Sequence, residues 1–333
     1  VINTARILHL ANGNIVLQRL REAGIEGTVV AWNDLLHEGP VPEGLGVAAL
    51  REVRAGFLAG CGWGSYRNIL RELEHRDHTV ESAVSGMGTG ASHRVDEIVL
   101  WFEHDLYDQL QLIQVLERLP IDGAVRITQV VPATYLGHIP AGDYPNLLAE
   151  RRVVSSAELL AARDAWQAFR SADPRGILGA LPRLTVLPHL SPALRRHAEQ
   201  FPSLENGLSR TEQQTLEAVA AGTSRLRDVY SVVNHEREEA TFMGDAGFLF
   251  HISSLVRSHR PLLAVKGGGD FDPVGKGTLD LELSLTGDGA RVLEGGLDRV
   301  ACCGIDRWLG GVRLEGNGPV WRWDRARETV RLA

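Results

Sequence analysis

The chain has 333 residues, 44% hydrophobic and 23% charged, with a formal net charge of −7. That length accommodates two or three domains, and the composition is that of an ordinary globular protein. The acidic balance excludes a protein that coats nucleic acid through a general positive field, and no apolar run approaches the roughly 20 residues that span a bilayer. Three cysteines, two of them adjacent at Cys302 and Cys303, form neither a disulfide framework nor a zinc spacing. The pair is expected to be buried, and a cytoplasmic setting is the simplest expectation.

Ile7-Leu8-His9-Leu10-Ala11 reads as a strand. The N-terminus ahead of it lacks a signal-peptide layout. Asn12-Gly13 is a turn dipeptide, Asn14 can cap a helix over 15–23, and Gly24 stops it. Residues 27–32 form a second strand, so strand, helix and strand fit within one βαβ unit with a right-handed crossover. The polar stretch Asn33-Asp34-Leu35-Leu36-His37-Glu38-Gly39-Pro40 is a loop. Helical patterns follow at 47–60 and 65–77, and the glycine-rich stretch 85–92 reads as a mobile loop. A third strand is predicted at 95–102, its helix at 106–118 and a fourth strand at 125–131. This alternation predicts an α/β fold with a doubly wound, mostly parallel sheet over 1–140.

Three predicted strands end in polar clusters: His9, Asn12 and Asn14 on the first, Asn33, Asp34, His37 and Glu38 on the second, Glu103, His104, Asp105 and Asp108 on the third. Parallel strands share one C-terminal edge, where open α/β sheets bind ligands. Capping and Asx turns explain Asn14, Asp34, Asp105 and Asp108 singly. They do not explain Glu103 and His104 beside Asp105, because crowding ionisable groups at one turn costs free energy through repulsion and desolvation.

Glu103, Asp105 and Asp108 are candidate ligands for magnesium or manganese, with His104, Glu103 and Asp105 as candidate catalytic groups. His9, Asn12, Gly13, Asn14, Asp34, His37 and Glu38 are candidates for holding a small-molecule ligand. No dinucleotide fingerprint or phosphate-loop lysine follows the first strand, which disfavours a nicotinamide enzyme and a P-loop ATPase.

Beyond 141 the strands fade into a helical region, 141–205, with patterns at 144–151, 155–170, 174–181 and 191–200. Trp166 and Phe169 share one face, expected to be core. From 206 to 333 the order is three helices (about 208–219, 224–233 and 238–257), strands at 261–265 and 279–285, and a hairpin over 308–323 turning at Gly316-Asn317-Gly318. This is the order of a winged-helix-like α+β domain. Its third helix carries Glu238, Glu239 and Asp245, which would face phosphate, so packing or dimerisation is favoured over DNA reading.

The segments His9-Leu10-Ala11-Asn12-Gly13-Asn14, Trp32 to Pro42 and Trp101 to Leu110 resemble the bacterial family catalogued as domain of unknown function 1835. Gly304 to Gly311 looks like the tail that often accompanies it. Family members usually carry Asp where this chain has Asn14, and the resemblance implies no activity. Two functions remain open. One is a metal-assisted hydrolase or transferase for a small polar or phosphorylated, nucleotide-like substrate. The other is a one-component regulator, with a ligand-sensing α/β domain and a winged-helix reader. A homo-oligomer is compatible with both.

Overall fold

The computed structural model describes residues 6–85 and 94–333. The glycine-rich stretch expected to be a mobile loop lies almost wholly outside them.

Strand β1 (Ile7–Ala11) leads through α1 (Gly13–Glu22) to β2 (Thr28–Ala31) and a two-residue strand, β3 (Gly39–Pro40). Then come α2 (Val47–Gly60), α3 (Tyr66–Ser85), β4 (Glu97–Trp101), α4 (Leu106–Arg118) and β5 (Arg126–Val130). The helical segment holds α5 (Tyr144–Ala149), β6 (Arg152–Val153), α6 (Ser156–Arg170), α7 (Arg175–Ala180) and α8 (Leu190–Ala198).

The main sheet has the order β2-β1-β4-β5-β6. Its first four strands are parallel, and β6 closes the edge antiparallel to β5. Period-2 alternation sorts the side chains. Leu8, Leu10, Ile98 and Leu100 join the large core with Leu110 and Ile113 of α4 and Trp166 and Phe169 of α6. Ala11, Val99 and Trp101 face a smaller cluster with Val16, Leu17 and Leu20 of α1 and Tyr144 of α5. The sheet therefore has helices on both faces, as parallel strands require. Trp166 and Phe169 are core residues, 3% and 0% exposed. A capping box between Ser155 and Glu158 starts α6.

The C-terminal part runs α9 (Arg210–Ala220), α10 (Leu226–Ser231), α11 (Asp245–Arg257), β7 (Leu263–Val265), β8 (Leu283–Leu285), α12 (Gly287–Leu293) and α13 (Arg299–Cys303). It ends with β9 (Ile305–Gly310), β10 (Val312–Gly316), β11 (Trp321–Asp324) and β12 (Thr329–Leu332). These strands form small sheets. The helix expected from 238 begins only at Asp245, after a π-turn at Val232–Glu236.

The single hairpin expected over 308–323 is two. β9 and β10 turn at Gly310-Gly311, and β11 pairs with β12. A Cβ on Gly311 would stand 1.8 Å from the Arg170 carbonyl oxygen, so this turn seats against α6 only with glycine. β9 also pairs in parallel with β3, weaving the tail into the loop after β2. No described helix is long and apolar enough to cross a membrane.

Candidate functional site

In the main sheet the connections run outward in opposite directions from β1 and β4, which makes their C-terminal ends the topological switch point where ligands bind in open α/β sheets. Asn12 ends β1 there, and Glu103, Asp105 and Asp108 follow β4 at the head of α4.

Asp105 is the N-cap of α4, accepting from the Asp108 amide at 3.2 Å. Asp108 does more than favour the helix end: one oxygen accepts from the Glu103 amide at 2.7 Å and the other from the Asn12 side chain. Glu103 accepts from the Leu136 amide, and its own carbonyl takes Gln109 Nε2 at 2.6 Å. One oxygen from each of Glu103, Asp105 and Asp108 lies within 4.8 Å of the others, and all three residues are buried.

Burial, then the neighbouring Glu103, pushes Asp105 up to about 7. Burial, then Asp105 and Glu103, raises Asp108 well above the usual carboxylate range. Burial raises Glu103 as well. Three carboxyls that resist ionising together hold shared protons or a cation.

His104 is half-buried beside them. Its ring lies 5.0 Å from that of Tyr135 and 6.0 Å from that of His189, centroid to centroid. Burial, then His189, lowers its pKa, which keeps it neutral. His104 and Asp105 open onto a groove of about 700 Å³ shared with His189, Arg196 and Arg210. Arg196 is held by Glu238 at 2.6 and 2.8 Å, while its buried Nη1 has no acceptor. His189 and Arg196 escaped the sequence reading: each lies far from the β4 motif in sequence, and α8 delivers both by packing.

The other candidates are placed differently. His9 faces the α1 side, accepting from Trp101 Nε1 at 3.0 Å and meeting the Glu26 carbonyl at 3.1 Å. It orients Trp101 and does not reach the carboxyl cluster. Gly13, at φ +73°, donates its amide to Asn33 Oδ1 at 3.0 Å, so it holds the two strand tips together. Asn14 is exposed on α1, and the N-cap position belongs to Asn12.

Asp34 is buried against Arg54, at 2.7 and 3.0 Å, and serves an internal ion pair. His37 is buried with both nitrogens unpartnered, between the edges of Tyr107 and Phe242. Burial lowers it to about 4. Glu38 pairs with Arg307 of β9 at 2.5 Å and with His251 of α11 at 3.5 Å. Of the three polar tips expected in one crevice, the first and third thus meet through Asn12 and the carboxyls. His37 and Glu38 turn into the seam with the C-terminal part, and Asp34 stays inside the N-terminal part with Arg54.

That seam contains a Ser209–His251–Glu38 chain, with Ser209 Oγ 3.2 Å from His251 Nε2. Its order resembles a nucleophile, base and orienting acid. Ser209, however, is 1% exposed and spends its hydroxyl capping α9, while Arg307 claims Glu38. The chain works as a strut between domains.

The sequence matches no family model, and comparison with curated proteins finds no relative.

Proposed function

We propose that the chain is a metal-assisted hydrolase or transferase acting on a small polar or phosphorylated, nucleotide-like substrate at the C-terminal edge of its N-terminal sheet. Membership of the domain of unknown function 1835 family, carried by the three N-terminal motifs, belongs to this reading. The supporting observation is the buried triad Glu103, Asp105 and Asp108 at the switch point. Magnesium or manganese suits an all-carboxylate donor set. Glu103 and Asp105 would hold the ion. Asp108, with both oxygens engaged, would buttress them. The cation would polarise a phosphoryl oxygen or lower the pKa of a bound water. His104, neutral at the rim, suits proton transfer.

The test is thermal unfolding and calorimetric titration with Mg²⁺ and Mn²⁺, for the wild type and for Glu103→Gln with Asp105→Asn. The wild type should be stabilised and the double variant should not. Equal responses would overturn the metal. Absence of turnover on nucleotides and phosphate esters, with the ion bound, would overturn the enzyme.

A second reading concerns the C-terminal part. Its order α9, α10, α11, β7, β8, with an antiparallel bridge from Arg225 to Glu282, supports reading it as winged-helix-like. Here the domain serves docking. Phe250 of α11, the helix that would enter DNA, packs on Phe57 and Trp63 of the N-terminal domain at 5.9 and 5.6 Å, and its His251 meets Glu38. Salt-dependent binding to duplex DNA by the intact chain would favour the regulator instead.

A further inference from the structure

The adjacent cysteines were expected to be buried. Instead Cys302 and Cys303 close the last turn of α13 partly exposed, with their sulfurs 3.2 Å apart. Each also touches backbone: Cys302 Sγ lies 3.7 Å from the Arg299 carbonyl and Cys303 Sγ 3.3 Å from that of Arg260. Cys303 lines the cleft between the domains, beside Arg307 and His251.

A disulfide is a poor outcome for this pair. Consecutive Cα atoms sit about 3.8 Å apart, below the roughly 4.4 Å at which unstrained bridges begin. Coordination is easier, and the sulfur spacing selects the geometry. With metal–sulfur bonds of about 2.3 Å, sulfurs 3.2 Å apart subtend an angle of about 90° at the bound atom. A tetrahedral ion at that bond length needs sulfurs about 3.8 Å apart, and a linear one about 4.6 Å. A four-coordinate ion also needs further ligands. Among the described residues, the side chains grouped closely enough to share a metal are Glu103, Asp105 and Asp108, and no third His, Cys or acid joins the thiols.

We propose that Cys302 and Cys303 form a dithiol site for a pyramidal, trivalent thiophilic centre, of which a monosubstituted arsenical is the defining ligand class. Both thiols condense with the arsenic oxide. Two As–S bonds form, the As–O bond is lost, and the two thiol protons leave with that oxygen as one water. Arsenic stays trivalent, and no oxidant is consumed. Burial, and then Cys302 beside it, pushes the Cys303 thiol up to about 12, so Cys303 enters the condensation as the neutral thiol. Ligation also reaches the domain seam: α13 passes through Gly304 into β9, whose Arg307 holds Glu38.

The test uses the full chain and phenylarsine oxide, with Cys61 as the internal control. After exposure to the arsenical, the protein is alkylated with N-ethylmaleimide and each cysteine is read by peptide mass spectrometry. Cys302 and Cys303 should be protected and Cys61 should not, and the intact mass should gain one phenylarsenic group per chain. Cys302→Ser or Cys303→Ser should weaken binding by about a hundredfold, the scale of a lost second attachment. Dimercaptopropanol should strip the arsenical where a monothiol does not.

Unprotected Cys302 and Cys303 in the wild type would overturn the proposal, without reliance on how the serine variants fold. Equal protection by Zn²⁺ or Cu⁺ would overturn the pyramidal selection.

Discussion

Asn12 donates its side-chain amide to Asp108, a residue 96 positions away. The bond ties the tip of β1 to the first turn of α4 and fixes the carboxyl that holds the Glu103 amide. Asn12→Leu removes the donor and leaves a fully buried carboxyl oxygen unpaired. The expected cost is about 1–3 kcal/mol, read from urea unfolding. Asn12→Asp should be worse without metal, because it adds a fourth acid to the cluster, and Mn²⁺ should restore part of the loss. An unchanged midpoint for both variants would remove the bond from the architecture of the site.

The raised carboxyls give stability a pH dependence of definite sign. A group whose folded pKa exceeds its unfolded value stabilises fully below the unfolded value, about 4 for Asp. That contribution is lost as pH climbs through the folded value. For Asp105 the window runs from about 4 up to about 7, and Asp108 and Glu103 act in the same direction. Buried histidines oppose them: His37 and His197 are lowered to about 4 and about 3, so they cost stability as pH falls below about 6.5. Comparison with Asp105→Asn isolates the carboxyl. In chelator, the wild type should lose more stability than the variant between pH 5 and pH 8, by up to about 1.4 kcal/mol per pH unit. Parallel profiles would refute the shift. Metal stabilisation should grow over the same range, since the ion competes with protons.

The parallel strands were legible because each is a short apolar run beside a helix with its own period, and the β4 motif was legible because capping leaves Glu103 unexplained. The two-residue strands β3 and β6 are too short to show alternation. The tail was misread because Gly316-Asn317-Gly318 is a stronger local turn signal than Gly310-Gly311, whose turn depends on the Arg170 carbonyl pressing against it. The role of Glu38 was beyond local reading, since its partner Arg307 lies 269 residues further along the chain.

Gly311→Ala tests the seating of that turn. The added methyl would meet the Arg170 carbonyl oxygen at 1.8 Å, a backbone atom at the end of α6 that cannot rotate aside. Overpacking typically costs about 1–3 kcal/mol, and a rigid neighbour puts this site at the upper end. The β9–β10 hairpin should lift from α6 and become sensitive to limited proteolysis, while the far-ultraviolet spectrum changes little. A variant as resistant as the wild type would show that α6 yields.

Glu38 and Arg307 join the two ends of the chain. Glu38 is 1% exposed, and despite the opposing effect of burial, Arg307 and then His251 hold it well below the usual carboxylate range. A depressed carboxyl contributes stability above its unfolded pKa, about 4.3 for Glu, and loses it as pH falls through the folded value. Arg307→Ala strands the charge, at a cost of about 3–5 kcal/mol at neutral pH. Replacing both partners, Glu38→Gln with Arg307→Met, should recover most of that loss, because no buried charge is left uncompensated. Native-state hydrogen exchange should then show β9 and the loop after β2 opening together in Arg307→Ala and closed again in the double variant. If the single variant opened neither segment, the tail would be held by the β3–β9 ladder alone.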